Sequence, residues 1–73
     1  RRAAVFFRAG NVDGALADYA QAVLINPNSP RALYGRGVAK RRKGDMRGGD
    51  ADIETAKALR PNVVEEMAAW GIK

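Results

Sequence analysis

Nucleophilic catalysis in this chain would have to begin at Ser29, the only serine, and there is no histidine or cysteine to activate it or replace it. Without histidine the chain lacks the commonest general base and a common metal ligand. Without cysteine it has neither thiolate chemistry nor a disulfide. Ser29 stands directly before Pro30, the pattern of a helix cap followed by proline at the first helical position. Asp50, Asp52 and Glu54 invite a cation site, but alternate residues on a helix diverge by about 200°, so these carboxylates do not converge. Gly10, Gly14, Gly44, Gly48 and Gly49 stand at turns or inside helical stretches and form no phosphate-cradling loop. The residue types therefore predict no catalysis, no cofactor and no metal.

The remaining chemistry is charge. The net charge of +5 is unevenly spread. Residues 1–29 hold three Arg and two Asp, whereas residues 30–44 hold Arg31, Arg36, Lys40, Arg41, Arg42 and Lys43 with no acid. Residues 45–73 are acidic on balance, with six carboxylates against four bases. The run Lys40–Lys43 could neutralise phosphates and give salt-dependent affinity. Four consecutive helical residues point in four directions, however, and cations in a last turn favour the negative end of the helix dipole. Binding of nucleic acid or another polyanion through this basic helix is therefore the least favoured functional reading of the sequence.

These charges must be positioned by helices, and the punctuation predicts five of them, over 1–9, 13–25, 30–43, 47–59 and 63–70. Gly10 and Gly44 can end helices in the left-handed conformation. Asn11 and Asp45 can cap the helices that follow. Asn26-Pro27-Asn28 and Arg60-Pro61 stop two more, because proline disfavours a helical residue before it. Asn62 with Glu65 approximates a capping box, and Gly71 ends the last helix. Connections this short favour antiparallel neighbours. With 73 residues there is room for one small domain, whose core is marginal. No apolar stretch approaches the ~20 residues that span a bilayer, so no membrane segment is expected. No signal-peptide pattern is present, and the start at Arg1-Arg2 without Met is expected of a fragment or processed product. Cytoplasm and periplasm remain equally open.

The helices repeat. A shift of 34 residues superposes Arg2 on Arg36, Gly10 on Gly44, Asp18 on Asp52, Ala22 on Ala56 and Pro27 on Pro61. It also superposes Arg8 on Arg42, Gly14 on Gly48 and Asn28 on Asn62. Turn residues and apolar positions recur together, which chance similarity would not produce.

A helical pair of 34 residues ending in proline resembles the tetratricopeptide repeat. Leu33, Gly37, Ile53, Ala56 and Pro61 stand where that family's pattern places large apolar, small, apolar or aromatic, small and proline residues. The run Leu33-Tyr34-Gly35-Arg36-Gly37 is similar to a common variant, and Arg2-Ala3 repeats part of it. Ala15, Tyr19, Ala22 and Pro27 match the second helix of the preceding unit. Two positions depart from the pattern. Lys40 replaces an aromatic and is expected to lay its methylenes on the core with its ammonium in water. Gly49 replaces alanine and is expected to weaken its helix by about 1 kcal/mol.

The resemblance implies an all-α fragment of a helical solenoid: a truncated first repeat over 1–28, a complete repeat over 29–62 and a capping helix over 63–73. It implies that Trp70 packs near Ile53, Ala56 or Leu59, covering the last repeat. At the other end, Val5, Phe6 or Phe7 should form an exposed apolar patch that favours self-association. In this family the first helix of each repeat lines a concave groove for peptides or partner helices. The equivalent positions here are Arg31, Tyr34, Gly35, Val38, Arg41 and Arg42, with Arg1, Ala4, Phe7 and Arg8 in the preceding helix. Arginine forks bind carboxylates, so an acidic peptide fits this surface. Tyr34, Gly35 and Val38 replace the polar donors with which family members bind chaperone tails, and that ligand is not expected. The sequence thus points to a protein-interaction scaffold. The second reading is a purely structural repeat that caps a longer array.

Overall fold

A computed structural model describes residues 9–72, and all its regular elements are helices. They are α1 (Val12–Ile25), α2 (Pro30–Arg42), α3 (Met46–Leu59) and α4 (Val63–Ala68). Residues 1–8 of the expected helix over 1–9, and with them the patch of Val5, Phe6 and Phe7, lie outside the described residues, and Ala9 is in a turn. No helix among the described residues is long and apolar enough to cross a membrane.

The caps act as their residue types require. Gly14 N–H donates to Asn11 Oδ1 at 3.0 Å and Gly48 N–H to Asp45 Oδ1 at 2.9 Å, one repeat apart. Ala32 N–H donates to Ser29 Oγ at 3.3 Å, with Pro30 beginning α2. Each cap satisfies one of the donors that a helix start leaves unpaired. Asn62 differs from the expectation. Its side chain makes no capping bond, because its ψ of 15° is not the extended conformation that aims a cap at the helix start.

Gly44 and Gly71 have φ of 98° and 83°, a region open to glycine. At Gly44 the chain reverses through two bonds: Gly44 N–H donates to Arg41 O, and Asp45 N–H to Lys40 O. The same pair recurs at the end of α4, where Gly71 N–H donates to Ala68 O and Ile72 N–H to Met67 O. This Schellman turn characteristically sets the residue after the glycine on the last helical turn. Ile72 is accordingly buried, at 1% exposure, while Trp70 is 53% exposed. The expectation that Trp70 would cover the last repeat is therefore wrong. The glycine-driven reversal folds Ile72 back over Met67, and α4 stops at Ala68, before Trp70 can continue a helical face.

Helix α2 is the hub, in contact with α1, α3 and α4. The core joins Ala15, Tyr19 and Val23 of α1 with Ala32, Leu33, Tyr34, Val38 and Ala39 of α2. Ile53 and Ala56 of α3, with Val63, Met67 and Ile72, complete it. Glycines let α2 approach both neighbours. A Cβ on Gly37 would fall 2.6 Å from Gly49 O, and one on Gly49 2.6 Å from Gly37 O. A Cβ on Gly35 would run into the Tyr19 ring. Gly49, expected only to weaken its helix, is thus what allows α3 to lie backbone-close to α2.

Candidate functional site

The spacing of four and three residues puts Tyr34, Val38 and Arg41 on one side of α2, and Arg42 lies four residues beyond Val38. The reversal at Gly44 brings Met46, the first residue of α3, to the same corner. These five side chains surround one concavity of about 280 Å³. Its floor is apolar and buried, made by Tyr34 and Val38. Its rim is Arg41 and Arg42, both exposed, with Met46 at 48% exposure.

The structure divides the sequence-predicted surface. Tyr34, Val38, Arg41 and Arg42 come together. Gly35 instead turns towards Tyr19 and forms part of the α1–α2 packing. Arg31 does not line the concavity; its Nε donates to Glu66 Oε1 at 2.8 Å, tying α2 to α4. The Arg60 guanidinium sits 2.8 Å from the other oxygen of Glu66. The hydrogen bond from Arg31 holds the Glu66 carboxyl below its usual value, against a smaller opposing effect of desolvation. Arg1, Ala4, Phe7 and Arg8 lie outside the described residues. Met46 was missing from the predicted surface. Its signal was its place directly after the Asp45 cap, which the turn brings beside the last turn of α2.

The basic run is largely spoken for by acids. Lys40 Nζ lies 3.1 Å from Asp52 Oδ2, so its ammonium meets a carboxylate rather than water alone. Arg36 Nε and Nη2 donate to the two Asp52 oxygens at 2.7 and 2.8 Å. Burial pushes the Asp52 carboxyl up, but hydrogen bonds and charge from Arg36 and Lys40 outweigh it and hold the pKa below the ordinary value. Lys43 pairs with Asp13 at the start of α1. Arg41 Nε is 3.4 Å from Asp50 Oδ1, a loose contact between two exposed side chains. The three carboxylates of α3 go separate ways: Asp50 to Arg41, Asp52 to Arg36 and Lys40, and Glu54 to Lys57. The Arg36–Asp52 pair has a sequence signal, since both positions recur one repeat earlier as Arg2 and Asp18.

Against known protein families, the TPR repeat model matches residues 3–44. The chain belongs to the TPR repeat family. Its helical hairpins follow that family's all-α architecture, and the 34-residue register extends past the match into α3. No curated protein and no solved structure matches the chain. TPR repeats generally mediate protein–protein interactions and typically act as scaffolds rather than enzymes. In this TPR chain the corner of α2 and α3 combines buried apolar surface with two exposed arginines.

Proposed function

We propose that this chain is a protein-interaction module in which the α2 face around Tyr34, Val38, Arg41 and Arg42 takes an acidic segment of a partner. The observation that carries it is the convergence of those four side chains and Met46 on one concavity. Arginine forks donate paired hydrogen bonds to carboxylates, and an apolar floor supplies contact area. The division into repeats over 1–28 and 29–62, with a terminal segment over 63–73, belongs to the same reading.

Selection of a displayed random-peptide library on the chain tests it. Acidic peptides should be enriched, and Arg41→Ala or Arg42→Ala should weaken them while leaving thermal stability unchanged. Enrichment indifferent to both changes sinks the proposal. Tyr34 is not used in this test, because it is buried and its truncation would unsettle the core.

The structural reading, a repeat that closes an array, is supported by the burial of Val63, Met67 and Ile72. It predicts that changes in α4 cost stability while peptide binding is untouched. The nucleic-acid reading is disfavoured by the pairing of Lys40 and Lys43, two of the four cations of the run, with Asp52 and Asp13. It requires affinity that falls steeply with salt and vanishes when Lys40–Lys43 are neutralised.

A further inference from the structure

We propose that Arg36, Lys40 and Asp52 set the register of α3 on α2: apolar contact draws the two helices together, and this charged cluster fixes where along α2 the second helix stops. The proposal goes beyond the ligand reading and stands whether or not the concavity takes a peptide. At their crossing the helices meet backbone to backbone. A Cβ on Gly37 would fall 2.6 Å from Gly49 O, 2.7 Å from Ile53 Cγ1 and 3.1 Å from Asp52 Cβ. Glycine brings no side chain to interlock with a neighbour, and the attraction supplied by apolar residues such as Ile53 is non-directional. Such a contact is close but tolerates sliding.

The cluster does not. Arg36 Nε and Nη2 donate to the two oxygens of Asp52 at 2.7 and 2.8 Å, and Lys40 Nζ lies 3.1 Å from Oδ2. A fork of this kind is geometrically specific. Asp52 is buried, so it cannot exchange these partners for water. A slide of one helical turn would carry it about 5.4 Å along α2. In one direction it would lie between Ala32 and Arg36, in the other between Lys40 and Gly44, and either way it gives up one of its two cations. The repeat supplies an independent sign. One unit earlier Arg2 and Asp18 hold the places of Arg36 and Asp52, whereas Ala3, Ala15 and Tyr19 hold those of Gly37, Gly49 and Ile53. The charged pair recurs while the residues around the crossing change, as expected of a part that sets register rather than one that fills space.

Register and stability are separable by experiment. Removing one member of a buried ion cluster leaves an uncompensated charge, whereas replacing every member by apolar residues is often neutral or stabilising. Met46, carried by α3, lies against Val38 and Arg42 of α2 and reports a slide, while Val23, buried on α1, is the reference. With ¹³C-methyl labels on Met and Val, three proteins are compared: the parent, the triple variant Arg36→Leu, Lys40→Leu, Asp52→Leu, and the charge-reversed pair Arg36→Asp, Asp52→Arg. The parent should give one Met46 signal. The triple variant should unfold at an equal or higher denaturant concentration, yet show Met46 split or broadened over several positions with Val23 unchanged. The reversed pair should restore a single Met46 signal. One sharp Met46 signal in the triple variant overturns the proposal, because packing alone then sets the register. A triple variant that unfolds earlier, or fails to fold, overturns it too, because the cluster then serves stability. A reversed pair that leaves Met46 split, or does not fold, does the same, since the ion pair is then not what fixes the helix.

Discussion

Replacing Gly49 by alanine sets two physical effects against each other. On an isolated helix the change stabilises by about 1 kcal/mol, because alanine loses less backbone freedom than glycine. In this fold the new methyl would fall 2.6 Å from Gly37 O and would also crowd Arg41. The arginine stem can swing aside, but a backbone oxygen moves only if α2 and α3 separate. Overpacking of this kind costs about 1–3 kcal/mol, and a backbone obstacle belongs at the upper end. The net expectation is a loss of about 2 kcal/mol. For a domain of this size that lowers the melting temperature by roughly 8–16 °C. Thermal unfolding followed by far-ultraviolet circular dichroism reads the effect. Gly37→Ala should behave alike, since its methyl would meet Gly49 O at 2.6 Å and Ile53 Cγ1 at 2.7 Å. A Gly49→Ala protein as stable as the parent, or more stable, would refute the close helix approach and leave only the propensity argument.

Ile72→Ala should cost about 2–5 kcal/mol as a buried truncation, whereas Trp70→Ala should cost well under that, and Trp70 fluorescence should be readily quenched by iodide. Comparable losses at the two positions would contradict the Schellman reversal. Asp52 has a depressed folded pKa, so its contribution to stability is present above its unfolded value near 3.8 and is lost as pH falls through the folded value. Denaturant midpoints between neutral and strongly acidic pH should therefore fall less steeply in Asp52→Asn than in the parent. Burial raises the Tyr19 pKa to about 12 from 10.0, so the folded state favours the neutral phenol. The stability this confers is complete below pH 10.0 and declines as pH rises towards about 12, and Tyr19→Phe should weaken that alkaline decline in an unfolding titration.

Much of the helical scaffold was legible because its signals are local. Asn11, Ser29 and Asp45 cap from within three residues of the donors they satisfy, and Gly10, Gly44 and Gly71 need only their own backbone freedom to turn the chain. The candidate surface was legible in part. Helical spacing alone aligns Tyr34, Val38 and Arg41, yet the same face read from the sequence includes Arg31 and Gly35, which do not line the concavity. A face read from one helix carries no information about its neighbours. Gly35 is covered by Tyr19, and Arg31 is drawn to Glu66, 35 residues away.

Taken by itself, the sequence determined the family, the 34-residue register, and where most of the helices start and stop. Those are matters of short-range sterics, capping and periodicity. Tertiary structure decided which partner each side chain met. It placed Ile72 rather than Trp70 under the end of the chain, gave Lys40 to Asp52, and brought Met46 to the mouth of the concavity. Each of those outcomes depends on how closely two helices approach and which way a turn redirects the chain. Local residue preference makes the turns at Gly44 and Gly71, but packing between distant segments settles what each redirected side chain meets.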